Sequence, residues 1–449
     1  MNLLSIWDIV ISPICIILIL FISSYIKNKN IDKNPAYKYY MRGIYVKIIG
    51  AVSICLVYTL YYTTGGDSTC YYEQGLFIHN LVYKNPSYFF EILFQGPTPE
   101  NFYYFDDTTG YIDYNAWTRD YSAIYLSRII APLCFIGYNS FITVSILLAW
   151  ICYSGIWRLY LLFCSQFPLI KKELAISILF IPSVVFWGSG LLKDTVTLSA
   201  IGWYSYSFYR FFILKEFKVK NILGVLISAY LLIMLKPYIF FALLPGSLIW
   251  LSYNRVVRTN NKAIKFLIAP IFIAGGIFGS FFVLSYLGDS LGVYSIDNVL
   301  NRAVVVQQDL KSDYYGNNSF DIGDFDASIG GVLSKSPLAI NATLFRPYLW
   351  EVKNPLMLLS SLESTYIFIL TLGLMLRLKF LGFLGLIWKT PLLLFSLLFA
   401  LFFAFSVGLS TPNFGALSRL KIPCIPFFVS SLFVLRHLYE VKTKKKFGF

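Results

Sequence analysis

The side chains able to do chemistry in this sequence are a pair of aspartates and a set of lysines and arginines placed at the ends of apolar runs. Asp67 stands in Thr64-Gly65-Gly66-Asp67-Ser68, and Asp194 closes Trp187-Gly188-Ser189-Gly190-Leu191-Leu192-Lys193-Asp194. A carboxylate at a desolvated interface gains basicity and can take the proton of an attacking hydroxyl. Lys193, Lys236 in Leu235-Lys236-Pro237-Tyr238, Arg346 in Phe345-Arg346-Pro347-Tyr348, Arg419 and Lys421 supply cations. Ammonium and guanidinium groups hold phosphate oxygens and stabilise a departing oxyanion. Glu73, Glu351 and Asn413 add candidate substrate-binding groups. The competing assignments are structural: Asp194 as a helix cap, Asp67 as the organiser of a Gly-rich turn, and the cations paired with Glu351 or Glu363.

Other chemistries find little material. There are two histidines, His79 and His437, and of these His79 is expected to take a surface or packing role rather than to catalyse. The cysteines form no disulfide framework and no CxxC zinc pair. No Walker, Rossmann or HExxH motif is present, so ATP hydrolysis, nicotinamide chemistry and zincin proteolysis have no support.

The elements that must position these groups are membrane helices. Hydrophobic residues make up 57% of the chain and charged residues 13%, against roughly half and a quarter in soluble domains. Apolar runs recur at about residues 4–25, 43–63, 140–162, 174–189, 195–212, 221–235, 238–253, 264–286, 356–376, 391–409 and 422–436. This predicts an all-α polytopic membrane protein with about eleven spans, forming a single transmembrane domain over residues 1–449. Lys27, Lys29, Lys33, Lys38 and Arg42 follow the first run; Lys171 and Lys172 the third; Lys215, Lys218 and Lys220 the fifth; Arg255, Arg258, Lys262 and Lys265 the seventh. With Arg377, Lys379 and the closing Lys442 to Lys446, all of these fall on one side if the spans alternate. By the positive-inside rule that side is the cytoplasm, with the N-terminus outside and the C-terminus inside. The net charge of +14 is then matched to the cytoplasmic leaflet rather than to nucleic acid. Membrane lipids are the expected surroundings.

Residues 64–120 and 285–355 read as two large outer loops rich in Asp and Glu, and long loops in compact proteins usually bind or gate something. Residues 121–138 read as an amphipathic helix lying in the outer interface, because Arg128 interrupts the apolar pattern. Tyr103 to Phe105 reads as an aromatic surface at the same level. The basic residues at the outer ends of spans run against the charge trend, which calls for an anionic partner such as the phosphate of a lipid carrier.

The acidic residue in a large first outer loop, together with a second Asp closing the tight turn Phe186-Trp187-Gly188-Ser189-Gly190-Leu191-Leu192-Lys193-Asp194, resembles the GT-C superfamily of polyprenyl-phosphate-dependent glycosyltransferases, including the protein mannosyltransferase and aminoarabinose transferase families. The likeness covers about residues 43–253. The segment from Thr411 to Pro423 is similar to one in membrane proteins of bacterial surface-polysaccharide clusters. The departures are one extra helix before the acidic loop, and Asp67-Ser68 where those families carry two acidic residues.

The resemblance implies a transferase of the bacterial inner membrane whose active site faces the periplasm. It would move a sugar from a polyprenyl-linked donor to a glycan, lipid or protein acceptor. It further implies Asp67 as general base, Asp194 as a residue orienting the acceptor, the base or a divalent metal ion, and the basic residues as phosphate ligands. An oligosaccharide repeat-unit polymerase is the alternative, since the loop at 285–355 and the outer basic residues fit it too. A transporter or flippase is less favoured, because the span interiors carry little charge apart from Glu363.

Overall fold

The computed structural model describes residues 4, 6–62, 66–112, 120–258, 305, 319–323, 326 and 328–446. The expected span at 264–286 lies outside the described residues, as do Asp113, Asp289, Asp297, Asp309, Asp313 and Asp324. The described chain is built from helices; its one bridge outside them joins Ser319 and Asn413.

In chain order over the described residues the helices are α1 (Ile6–Ile31), α2 (Tyr40–Leu56), α3 (Asp67–Lys84), α4 (Pro86–Gln95), α5 (Tyr121–Gly137), α6 (Phe141–Gln166), α7 (Lys171–Leu179), α8 (Pro182–Trp187) and α9 (Lys193–Phe208). They continue with α10 (Val219–Leu235), α11 (Pro237–Arg258), α12 (Ile329–Ser334), α13 (Ser336–Phe345), α14 (Pro355–Leu378), α15 (Phe380–Trp388), α16 (Pro391–Ser410), α17 (Phe414–Leu420) and α18 (Ile425–Lys446).

Five of these are long and apolar enough to cross a membrane: Ile6–Ile31, Pro35–Tyr61, Phe141–Gln166, Met357–Leu378 and Pro391–Ser410. A sixth results if α17 and α18, which meet at a 66° bend, count as one broken span. α5, α10 and the first part of α11 are apolar but shorter. The chain is therefore a helical membrane protein, since a bilayer demands that each backbone donor be satisfied within its own helix.

The helix ends carry recognisable signals. Asn85, Asp120, Asn354 and Asn413 each accept a hydrogen bond from a backbone N–H in the first turn of the helix they precede. Proline opens α4, α11, α14 and α16, where a missing N–H costs nothing. Proline also explains a difference from the sequence reading: the run at 174–189 is two helices, α7 and α8, because Pro182 cannot continue α7. Residues 64–120 are far from irregular, since they contain α3 and α4. Tyr104 and Phe105, expected on a surface, are buried, and only Tyr103 is exposed.

The chain divides into two compact units, each assembled from separate stretches. The first comprises Met1–Leu162, Val184–Ser207 and Ile222–Lys236; the second comprises Phe163–Ser183, Phe208–Asn221 and Pro237–Phe449. In the first, Ile54, Tyr71, Leu126, Ile130, Leu148, Leu191, Val196 and Leu235 form one core contributed by α2, α3, α5, α6, α9, α10 and the turn before α9. α6 and α9 approach at backbone distance: a Cβ on Gly202 would lie 2.0 Å from the Gly155 carbonyl oxygen. Such small-residue crossings let helices pack closely where lipid offers no hydrophobic drive.

In the second unit α11 and α13 pack along α16, and α13 meets it closely enough that a Cβ on Gly408 would lie 2.0 Å from the Ala339 carbonyl oxygen. Phe395, Phe399, Phe403 and Phe427 fill its interior with edge-to-face and tilted ring pairs.

Candidate functional site

In the first unit, five charged side chains gather around the start of α9. The turn Gly188–Leu192 delivers Lys193 and Asp194 together as the first residues of that helix. Thr195 Oγ1 donates to the Gly190 carbonyl (2.7 Å) and the Thr195 N–H to the Leu192 carbonyl (3.1 Å), which fixes the entry. Asp194 has no solvent exposure, and the Lys236 ammonium at the end of α10 lies 2.5 Å from its Oδ1. Lys193 points the other way: its Nζ donates to Asp120 Oδ2 and to Ser122 Oγ, both at 2.6 Å, and stands 5.4 Å from the centre of the Tyr71 ring. Asp67, in the first turn of α3, acts electrostatically on Lys193, as does Lys236. Lys193 thus relates exposed Asp67 to Asp120, while Asp194 is paired with Lys236.

The electrostatics follow from unequal burial. Burial pushes the Asp120 carboxyl up, but the Lys193 ammonium beside it and hydrogen bonds from Ser122 and the Ala123 N–H outweigh this and leave it below the usual aspartate range. Burial lowers Lys193 below the usual lysine range; Asp120 and Asp67 oppose the shift and Lys236 adds to it. The Asp120 side chain is 49% exposed and that of Lys193 10%, so the lysine loses more hydration than its partner does. Glu73 lies six residues further along α3, half-buried, and acts with Asp67 on the exposed Cys70.

The other candidate residues form a second group inside the second unit. Arg346 makes a two-toothed pair with Glu351, its Nε 3.0 and 3.2 Å from the two carboxylate oxygens and its Nη2 also on Oε1. Its guanidinium lies 4.4 Å from the centre of the Phe320 ring and 5.5 Å from that of Phe414. Lys421 is fully buried, donating to the Arg346 carbonyl (3.1 Å) and to Ser364 Oγ (2.8 Å), with Glu363 acting on it electrostatically. Glu363 itself accepts from the N–H and hydroxyl of Ser183 (2.9 and 2.6 Å) at the start of α8. Asn413 caps α17, accepting from Gly415 N (3.0 Å) and Ala416 N (3.2 Å). Arg419 is half-buried in the same helix.

The structural assignment weighed from sequence, pairing of the cations with protein acids, therefore describes Lys193, Lys236 and Arg346 as they stand. Two residues escaped the sequence reading. Asp120 had a legible signal as an Asp directly before an apolar run, the position of a helix cap. Lys47 lies inside an apolar run, which is itself a signal. From α2 its Nζ donates 2.5 Å to the Gly188 carbonyl in the turn that carries Lys193 and Asp194.

Among the described residues no group of three or more His, Cys, Asp or Glu side chains is arranged to hold a metal ion. Asp120 and Asp194 each direct a carboxylate oxygen at a lysine instead. At these two carboxylates a lysine ammonium stands where a divalent ion would bind. No protein-family model matches the chain, and no curated protein or solved structure matches it.

Proposed function

We propose that the chain is a membrane glycosyltransferase that moves a sugar from a polyprenyl-phosphate-linked donor to an acceptor hydroxyl on the periplasmic side of a bacterial inner membrane. The carrying observation is the cluster of Asp67, Asp120, Lys193, Asp194 and Lys236, drawn from four parts of the sequence into one place beside an apolar core. The topology that goes with this reading has about eleven spans, the N-terminus outside and the C-terminus in the cytoplasm.

In this reading the acceptor oxygen attacks the anomeric carbon as the bond to the carrier phosphate breaks. Asp67 takes the acceptor proton, which as general-base assistance is worth about 10²–10⁴ in rate. Lys193 is placed to exchange its Asp120 partner for the departing phosphate, whose charge its ammonium would then stabilise. Asp194 holds the Lys236 side chain in position. The Arg346, Glu351 and Lys421 group is a second cationic centre, which is the feature that keeps a repeat-unit polymerase with two pyrophosphate carriers as the second reading.

The test is the surface-glycan profile of a deletion strain complemented with the wild-type chain, with Asp67→Asn or with Lys193→Met. Loss of one sugar addition that neither variant restores supports the transferase. Collapse from long polymer to single repeat units supports the polymerase, and an unchanged profile removes both.

A further inference from the structure

The outer segment before α5 carries an apolar face that the first unit does not cover. α4 buries Phe89 and Ile92 in a core with Ile78, Leu81, Ile124 and Ala131, and it turns Phe90 and Phe94 outward, 54% and 74% exposed. The two outward rings are parallel, with centroids 6.5 Å apart. A helix with one face in water would place polar residues there. Here the two exposed Phe rings share the outward side with only two polar residues, Ser87 and Gln95. The one charged residue of α4, Glu91, is turned inward, accepting from Asn101 Nδ2 (3.0 Å) and the Tyr104 hydroxyl (2.8 Å).

The apolar surface does not stop at α4. Phe89 touches both Phe90 and Phe135, at 5.3 and 5.6 Å between ring centres, and Phe135 and Ile136 are exposed at the end of α5. Beyond them exposed Tyr138 meets Trp7 edge-on at 4.8 Å, and from Trp7 the strip runs into exposed Ile6, Ile9 and Val10 of α1. α1 is long and apolar enough to cross a membrane, so its exposed side chains face lipid. Arg128 locks the arrangement, its Nε donating 2.8 Å to the Leu93 carbonyl of α4 from a buried position on α5.

We propose that α4 lies along the membrane surface, with Phe90 and Phe94 inserted at the headgroup–acyl boundary of the leaflet that meets the N-terminal end of α1. The occupant of the face is lipid, because the face is continuous with the lipid-facing side of α1. The proposal rests on the membrane character of the chain alone and is independent of the transferase reading. It moves the interfacial role from α5, most of whose faces are buried, to α4.

The experiment is spin labelling of the full-length chain in phosphatidylcholine–phosphatidylglycerol vesicles, with the exposed Cys70 and half-buried Cys15 replaced by Ser. Single cysteines at Phe90 and Phe94 are compared with Ile9→Cys as a lipid reference and Glu100→Cys as an aqueous one. Collision with oxygen exceeding collision with a water-soluble nickel chelate, as at Ile9, is the expected result at both positions. Labels that follow Glu100 place α4 in water and overturn the proposal. Labels immobilised and reached by neither reagent show a protein covering the face, which overturns it as well.

Discussion

Asp194 is closed off from solvent with the Lys236 ammonium against it, and this arrangement makes a quantitative demand on both residues. Removing one partner of a buried pair strands the other charge, at a cost of about 3–5 kcal/mol, whereas replacing both with apolar residues is often neutral. Lys236→Met should therefore lower the thermal midpoint of the detergent-solubilised protein strongly, and Asp194→Val with Lys236→Met should recover most of the loss. A single variant as stable as the wild type would show that the pair is not sealed. The Lys193–Asp120 pair yields a pH prediction. The folded Asp120 carboxyl lies below its ordinary value of about 4, so its contribution is complete above that value and drains away as the pH falls through the lower folded one. Acid unfolding below about pH 4 should accordingly be less steep in Asp120→Asn than in the wild type. Superimposable acid limbs would remove the pair as a source of stability.

At the scale of elements, the crossing of α6 and α9 fixes the helix that presents Lys193 and Asp194. Gly202 and Gly155 each sit where an added Cβ would fall 2.0 Å from backbone oxygen on the other helix. Gly202→Ala should cost at least about 1–3 kcal/mol, the range for overpacked cores, and should disturb any activity that depends on Lys193. Gly373 in α14 has open space around its Cβ position, so Gly373→Ala should be neutral or stabilising by up to about 1 kcal/mol through helix propensity. Denaturant midpoints of the two variants moving in the same direction would contradict the packing described. The caps at Asp120, Asn354 and Asn413 were legible as polar residues directly before apolar runs. α3, α4 and α15 were not, because a helix that is short, or that faces both core and surface, leaves no long apolar window.

For the whole molecule, the proposed orientation makes a prediction of its own. Alkaline phosphatase fused after Glu100 should be active and green fluorescent protein fused there dark, with the reverse after Lys218 and at the C-terminus. A signal of the same kind at Glu100 and Lys218 would overturn the alternation of spans on which the orientation rests. The candidate residues divide between two compact units, Asp67, Glu73, Lys193, Asp194 and Lys236 in one and Arg346, Glu351, Asn413, Arg419 and Lys421 in the other. Each unit takes stretches far apart in the chain, an arrangement no local pattern announces.

The sequence by itself determined that this is a helical membrane protein, because apolar run length and charge clustering are local properties that a bilayer reads directly. It also singled out Asp67, Lys193, Asp194 and Lys236, because ionisable residues at the ends of apolar runs are costly and therefore conspicuous. Only the tertiary structure decided that Lys236 serves Asp194, that Lys193 turns to Asp120, and that Glu351 occupies Arg346. Those pairings depend on which helices pack side by side, and in a membrane that choice is made by shape and by small residues such as Gly155 and Gly202 at the crossings rather than by hydrophobicity.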